Sequence, residues 1–141
     1  MVIKENEFLE MQQDLINHAN ETKSGNFSQI PTELQDITRW IVWKFETKNG
    51  KQTKVLYQPN GNYAKTNDPT TWGYFHEAVT AVRNRHYYGI GFVFAQNDEY
   101  IGIDIDKCYE NGIFNETAST IIESLDSYTE FSPSGTWVHI I

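Results

Sequence analysis

The chain has 141 residues, of which 39% are hydrophobic and 14% aromatic, a composition typical of one globular domain with a real core. It has no apolar run long enough to span a membrane, an N-terminus too polar for a signal peptide, and a single cysteine, which together favour a reducing, cytoplasmic setting. The net charge of −8 at pH 7 argues against a broad phosphate-binding surface, but not against a local basic groove or a basic partner.

The first 27 residues are predicted to form an N-terminal extension, or a short helix followed by a linker. The face that indicates a helix consists of Phe8, Leu9, Met11, Leu15 and Ile16. Residues 28–141 are denser in apolar side chains and are predicted to form the domain. It starts with a short helix at 31–36, because Pro31 suits the first helical position and acidic residues follow it.

A β-hairpin is predicted next. Residues 39–47, RWIVWKFET, are rich in aromatic and β-branched side chains, which favours a strand. The Asn49-Gly50 pair is typical of a tight hairpin turn, and residues 52–59 supply the returning strand. A loop rich in turn-forming residues follows and extends to Trp72.

Helices and strand pairs alternate further along the chain. A helix is predicted from about Thr71 to Arg85, and its apolar face consists of Trp72, Phe75, Val79 and Val82. The later predicted elements are a second strand pair (89–96 and 100–106, around the polar tip 97–99), a helix (116–126) and a closing strand, tight turn and strand (128–141). This ββαββαββ order predicts an α+β fold with a largely antiparallel sheet and helices packed on one side of it.

The segment YIGIDID places two carboxylates in a run that is predicted to be a buried strand. Because strand side chains alternate, Asp104 and Asp106 should share one face, about 7 Å apart, with Ile103 and Ile105 facing the core. Two such carboxylates can bracket one divalent cation or a pair, which would offset their mutual repulsion. The spacing alone fits two solvated acids at a strand end slightly better.

A second segment with groups suited to ligand binding is SPSG, residues 132–135, which is predicted to form a tight turn. Backbone N–H groups in such a turn can bind an anion, and His139 on the following strand can contact a phosphate. Taken alone, the segment fits a plain hairpin turn with a partly exposed histidine better. The other histidines show no metal-ligand spacing, and Cys108 has no partner, so they are predicted to be surface or structural residues.

A resemblance to the N-terminal part of phage and plasmid primase-polymerases is carried by five blocks in the family's order: RWIVWKFE, KVLYQPNGNYAKTNDPTTWGYFHEAV, GIGFVF, YIGIDIDKC and SYTEFSPSGTWVHII. These proteins belong to the archaeo-eukaryotic primase superfamily, in the branch of bifunctional DNA primase/polymerase domains. The resemblance covers about residues 28–141. It implies an incomplete, primase-polymerase-like half module, because the family's third metal-binding acid lies on a later strand.

The resemblance also implies roles for individual residues. Asp104 and Asp106 would bind Mg²⁺ or Mn²⁺, weakly without a third acid, and would form the catalytic set together with His139. The triphosphate of an incoming nucleotide would be contacted by Ser134, Gly135 and His139. The implied reaction is in-line nucleotidyl transfer for DNA primer synthesis, with DNA and a nucleoside triphosphate as partners.

Other positions bear on whether that activity is retained. Lys54, on the KVLY strand, is implied to face the same cleft. Trp137 stands where the family usually has glycine, Leu56 where proline is common, and Lys107 where histidine is frequent. These departures, the net charge and the missing acid support an alternative function: a catalytically inactive, stand-alone relic that acts as an acidic binding protein or inhibitor, for example phage-encoded and directed against a host nucleic-acid enzyme. We expect this chain alone to be inactive as an enzyme.

Overall fold

The computed structural model describes residues 27–85, 87–132 and 134–141, so the helix predicted around residues 8–16 lies outside the described residues. The chain divides into two compact units, an N-terminal unit of residues 27–99 and a C-terminal unit that includes residues 100–141. The predicted α+β class is confirmed, although the strands form three separate antiparallel sheets in the described part of the chain. No described helix is both long and apolar enough to cross a bilayer.

The N-terminal unit is built on a three-stranded antiparallel sheet. Strand β1 spans Trp40–Lys48, β2 spans Lys51–Tyr57 and β3 spans Gly89–Phe92, in the spatial order β2-β1-β3. The predicted hairpin is confirmed, because β1 and β2 pair across the Asn49-Gly50 turn, where both residues have positive φ. The first four residues of β1 are buried, whereas its last residues are exposed, so the hairpin extends beyond the core.

Two short elements begin the packing around this sheet. Helix α1, Thr32–Gln35, confirms the predicted short helix, and its buried Leu34 offers a backbone oxygen to the Trp40 indole N–H at 3.0 Å. Pro69–Thr71 forms a single 3₁₀ turn that is capped by the side chain of Asp68. The hydrogen bond of the indole ties helix α1 to strand β1.

Helix α2 spans Phe75–Arg85, so the predicted start at Thr71 is wrong. The preceding 3₁₀ turn ends at Thr71, which leaves Trp72 outside the helix. Ala78 and Ala81 form the buried part of the helix face. Phe75 meets Trp40 of β1 edge to face, with ring centroids 5.0 Å apart.

The predicted second strand pair, residues 89–96 with 100–106, is wrong. Strand β3 pairs with β1, and residues 97–99 are not a hairpin tip. The Asp98 side chain is only 6% exposed, and it accepts hydrogen bonds from Arg39 Nη1 at 2.6 Å and from the Ala95 N–H at 3.0 Å. A buried ion pair with a residue far back in the chain therefore shapes this segment.

The C-terminal unit contains a second three-stranded antiparallel sheet. Strand β4 spans Ile103–Ile105, β7 spans Thr129–Phe131 and β8 spans Val138–Ile140, in the spatial order β4-β8-β7. Strand β4 is shorter than predicted, and Ile101 before it is 74% exposed. The prediction of a long buried strand from Tyr100 is therefore wrong.

A small hairpin and a helix complete the C-terminal unit. Strands β5, Tyr109–Glu110, and β6, Ile113–Phe114, pair around the Asn111-Gly112 turn, which the sequence analysis did not use although the Asn-Gly signal is present. Helix α3, Glu116–Leu125, confirms the predicted helix. It begins after Asn115, whose side chain accepts the Ala118 N–H at 2.9 Å.

The core of the C-terminal unit joins the sheet to helix α3. Its buried members are Cys108, Phe114, Ala118, Ile122, Val138 and Ile140. Ile103 and Ile105 of β4 pack against this cluster, as predicted from the alternation of strand side chains.

The close approach of β3 to a buried tryptophan gives a first prediction. A Cβ atom at Gly89 would lie 2.9 Å from Trp43 Nε1, and Trp43 is 7% exposed. We expect Gly89→Ala to lower the free energy of unfolding by about 1–3 kcal/mol in urea titrations, because the indole must move. Gly91→Ala is the matched control, since its Cβ would lie 3.4 Å from Ile41 Cγ1. Equal losses in the two variants would contradict this account.

The only cysteine gives a second prediction. Cys108 is 1% exposed, and burial is the main cause that raises the pKa of its thiol, to which the nearby Asp106 charge adds. A raised pKa means less thiolate, the reactive form, at a given pH. We expect the native protein to react with a thiol-specific disulfide reagent at about pH 8 far more slowly than the urea-unfolded protein does. Equal rates in the two states would show that Cys108 is accessible.

Candidate functional site

The second sheet presents polar side chains on the face that is turned away from its core. Val138 and Ile140 of β8 are 0% and 1% exposed, so His139 between them points to the opposite face. His139 is directly paired with Asp104 of β4 on one side and with Glu130 of β7 on the other. Directly paired residues in an antiparallel sheet share a face, so these three side chains form one row.

The Asp104 and His139 side chains are in direct contact. A hydrogen bond joins His139 Nδ1 to Asp104 Oδ1, with side-chain exposures of 31% and 61%, respectively. An ionised carboxylate only accepts, so Nδ1–H is the donor when Asp104 carries its charge. The Nε2 edge of the imidazole and the second oxygen of Asp104 are the parts of this pair left for a ligand.

Asp106 does not lie on the strand as predicted. Strand β4 ends at Ile105, and Asp106 and Lys107 form a turn in which Lys107 has a φ of 48°. The side chain of Asp106 is exposed. The strand alternation from which a shared face with Asp104 was predicted therefore ends before Asp106.

The predicted turn connects β7 to β8, and its backbone is held by two hydrogen bonds. The Ser132 N–H donates to the Trp137 oxygen at 2.8 Å, and the Gly135 N–H donates to the Ser132 oxygen at 2.9 Å. Gly135 has a φ of 74°, a conformation that suits glycine. Ser134 and Gly135 are thus both in the turn near His139, but the Gly135 N–H already has an acceptor within the turn.

The Ser134 hydroxyl is also engaged inside the turn. Its Oγ lies 3.0 Å from the Oγ of Ser132 and 3.0 Å from the Oγ1 of Thr136, and it accepts the Trp137 indole N–H at 3.0 Å. A hydroxyl offers one donor and two acceptor sites, so three partners saturate it. A phosphate oxygen can bind Ser134 only by replacing one of these partners.

Trp137 also contacts the histidine of the row. The indole and the His139 imidazole meet edge to face, with ring centroids 4.8 Å apart. Trp137 therefore buttresses His139 and holds Ser134 at the same time. The sequence analysis noted the bulk of this side chain but did not foresee either contact.

Glu130 is a residue of this row that the sequence analysis missed. Its Oε2 accepts a hydrogen bond from the Tyr128 hydroxyl at 2.9 Å, and burial together with the Glu130 charge raises the pKa of Tyr128. The alternation of Thr129, Glu130 and Phe131 was the available signal, since it turns the glutamate outward. Asp104 and Glu130 are two strand spacings apart, roughly 9.5 Å, with His139 between them.

Lys54, the last predicted site residue, belongs to the N-terminal unit. Its ammonium lies 4.2 Å from the centre of the Trp43 ring, a cation–π contact, and the side chain lines a hollow of about 340 Å³ with Trp43 and Leu56. Its role toward a nucleotide stays a prediction.

A weakly held hard cation at Asp104 and Asp106 stays a prediction. Asp104 and Asp106 supply exposed carboxylate oxygens, the ligand type that Mg²⁺ and Mn²⁺ prefer. Among the described residues, no group of three or more His, Cys, Asp or Glu side chains is arranged to hold a metal ion. A cation at these two carboxylates would therefore keep most of its waters.

The exposure of the Asp104–His139 pair gives a third prediction. Exposed ion pairs contribute about 0.2–1 kcal/mol, because water screens them. In a double-mutant cycle of Asp104→Ala and His139→Ala, followed by urea unfolding, we expect a coupling energy within that range. A coupling several times larger would show that the pair stabilises the fold and would weaken its assignment to a binding site.

Comparisons with known proteins identify a relative of this chain. No protein-family model matches the chain. The chain is 33% identical over 111 residues, 77% of its length, to a "DNA Primase-polymerase" of Nitratiruptor phage NrS-1. The match spans about 15% of the length of that relative. The resemblance inferred from the motifs is thus confirmed, and the chain is a primase-polymerase-like segment, homologous to part of a phage DNA primase-polymerase.

Proposed function

We propose that the exposed row of the C-terminal unit binds the phosphates of a nucleoside triphosphate together with a divalent cation, as part of a machinery for DNA primer synthesis. The contact between Asp104 and His139 carries the proposal, because it joins the two predicted motifs, which are 35 residues apart in the chain. The phage relative supports the same function, since its name includes both priming and polymerisation.

The imidazole and the carboxylate have separate tasks in this site. Asp104 fixes the His139 ring through Nδ1, so that the Nε2 edge faces the ligand in one orientation. The Trp137 indole packs against the same ring and limits its rotation. A positioned side chain loses less conformational entropy on binding a phosphate than a free one does.

Asp104 and Asp106 are the residues that would hold the cation. A bound Mg²⁺ or Mn²⁺ would neutralise the charge of the triphosphate and favour displacement at phosphorus. Lys107, next to Asp106, would add positive charge beside the phosphates but would weaken the cation's own affinity.

One observation favours a second function, a binding protein or inhibitor without nucleotidyl transfer. The Ser134 hydroxyl and the Gly135 N–H, which the resemblance assigns to the triphosphate, are already occupied by partners in the turn. Trp137→Phe separates the two functions, because it removes the indole N–H from Ser134 and retains an aromatic ring beside His139. A gain in nucleotide affinity would support a nucleotide site that the indole restricts, and an unchanged affinity would favour the second function.

The fourth prediction tests binding directly. In calorimetric titrations with Mn²⁺ and a non-hydrolysable nucleoside triphosphate, we expect weak binding of each alone and stronger binding together, because each offsets the charge of the other. Asp104→Ala and His139→Ala should each lower nucleotide affinity by about tenfold, the value of a charge-assisted contact. Glu110→Ala, which removes one exposed negative charge from the β5–β6 hairpin, should leave it unchanged.

Two outcomes would contradict the proposal. Tight, stoichiometric Mn²⁺ binding that survives Asp104→Ala would mean that other residues are the ligands. Nucleotide affinity that is unaffected by both Asp104→Ala and His139→Ala would remove the site. Primer extension by this chain alone is not expected, because two carboxylates are too few to hold both metal ions of nucleotidyl transfer in fixed positions.

A further inference from the structure

Positive charge is unevenly distributed along this acidic chain. Residues 27–99 hold eight of the eleven lysines and arginines and seven acidic residues, whereas residues 100–141 hold one lysine and seven acidic residues. Within the first range, the β1–β2 hairpin from 44 to 54 contains four lysines and one glutamate. The basic residues are therefore concentrated on the part of the N-terminal unit that extends beyond its core.

Three of these lysines share one face of the hairpin. Lys44 and Lys48 alternate along β1, and Lys51 is paired directly with Lys48 next to the turn. Lys48 and Lys51 are both exposed. Like charges directly opposite each other destabilise a hairpin, so this pair is unfavourable unless a negatively charged ligand lies against it.

Tyrosine rings continue the same face toward the core. Lys44 Nζ lies 4.9 Å from the centre of the Tyr57 ring and 5.7 Å from that of Tyr87. Tyr63 pairs with Tyr57 at the edge of β2, and the two rings stack with centroids 5.1 Å apart and planes 28° apart. Tyr63 is 64% exposed, so one face of its ring is open to a planar group.

Glu46 is the acidic residue on this face of the hairpin, and its charge is offset by neighbouring groups on the same face. Glu46 accepts a hydrogen bond from the Tyr57 hydroxyl and lies 3.7 Å from Lys44 Nζ. The Glu46 hydrogen bond and burial raise the pKa of Tyr57, so this hydroxyl stays a donor. Glu46 thereby fixes Tyr57 under Tyr63 and leaves Lys48 and Lys51 as the outward charges.

We propose that this face, defined by Lys44, Lys48, Lys51, Tyr57 and Tyr63 and called here the lysine–tyrosine face, binds single-stranded nucleic acid. The lysines line a strip about 13 Å long, since Lys48 comes four residues after Lys44 on strand β1. A strip of cations next to an open aromatic ring is the arrangement that binds a phosphate backbone and stacks a base. Double-stranded nucleic acid is a less suitable ligand, because its paired bases are not free to stack on Tyr63.

The face lies in the N-terminal unit, and the proposal needs none of the residues assigned to nucleotide binding in the C-terminal unit. It goes beyond the proposed function by adding a site for a template or product strand. Loss of strand binding in hairpin variants and loss of nucleotide binding in Asp104→Ala are therefore separable results.

The test is fluorescence anisotropy of the 141-residue chain with labelled oligothymidylate, over a salt series that starts at about 50 mM NaCl. We expect Lys48→Ala/Lys51→Ala to lower affinity by about tenfold and to reduce the slope of log K against log salt by about 1.4, because each lost phosphate contact to a single strand accounts for about 0.7. Tyr63→Ala should lower affinity by about tenfold with an unchanged slope, since stacking is not ionic.

The matched control is Lys65→Ala/Arg83→Ala, which removes the same charge from exposed positions outside the hairpin. It should change affinity less than twofold, roughly, at the same salt. The hairpin variant should keep or raise the midpoint of unfolding, because it removes a like-charge pair, so a loss of binding is not a loss of fold.

Several results would overturn the proposal. They are the absence of binding at the lowest salt, equal losses in the hairpin and control variants, and an unchanged affinity in Tyr63→Ala. Competition by polyglutamate as strong as that by unlabelled oligothymidylate would also overturn it, and would identify the face as a site for an acidic protein.

Discussion

The candidate site depends on one constraint, the fixed register of strand β8. Val138 and Ile140 are completely or almost completely buried against helix α3, so neither can turn outward without exposing the core. A shift of one residue would bury His139 and expose both apolar neighbours, which the hydrophobic effect opposes. The central position of β8 then brings Asp104 and Glu130 to the two sides of His139. The core packing of two apolar side chains thus assembles a polar row on the opposite face.

In the turn before β8, the Ser134 hydroxyl and the Gly135 N–H form hydrogen bonds within the turn segment, and the Trp137 indole supplies one of the partners of Ser134. A glycine at that position would leave Ser134 with two hydroxyl partners and the His139 ring without its edge-to-face contact. The indole therefore restricts access to Ser134 in the turn and also restricts rotation of the His139 ring. A phosphate that binds Ser134 would have to replace one of its hydrogen bonds, and a protein-binding role would leave the network intact.

Local patterns predicted much of this structure, and non-local contacts account for the errors. The Asn49-Gly50 hairpin, helix α3 and the inward direction of Ile103 and Ile105 follow from turn chemistry and periodicity. The pairing of β3 with β1 instead of β4 does not, because it joins strands that are far apart in the chain, as does the Arg39–Asp98 ion pair, whose members are 59 residues apart. For the site, the motifs predicted Asp104 and His139 as neighbours, whereas the turn at Asp106 and the bonds of Trp137 required the folded chain.

The central claim is that Asp104, Asp106 and His139 surround one ligand site, and Mn²⁺ can report its position directly. In nuclear magnetic resonance spectra of the chain with a nucleoside triphosphate, a bound Mn²⁺ ion broadens the signals of nearby nuclei. The account predicts that substoichiometric Mn²⁺ broadens the His139 ring protons and the backbone amides of residues 104–106 most strongly, and the amides of helix α3, which packs on the opposite face of the sheet, less. Selective broadening centred elsewhere, or equal broadening of the helix α3 amides and His139, would contradict it.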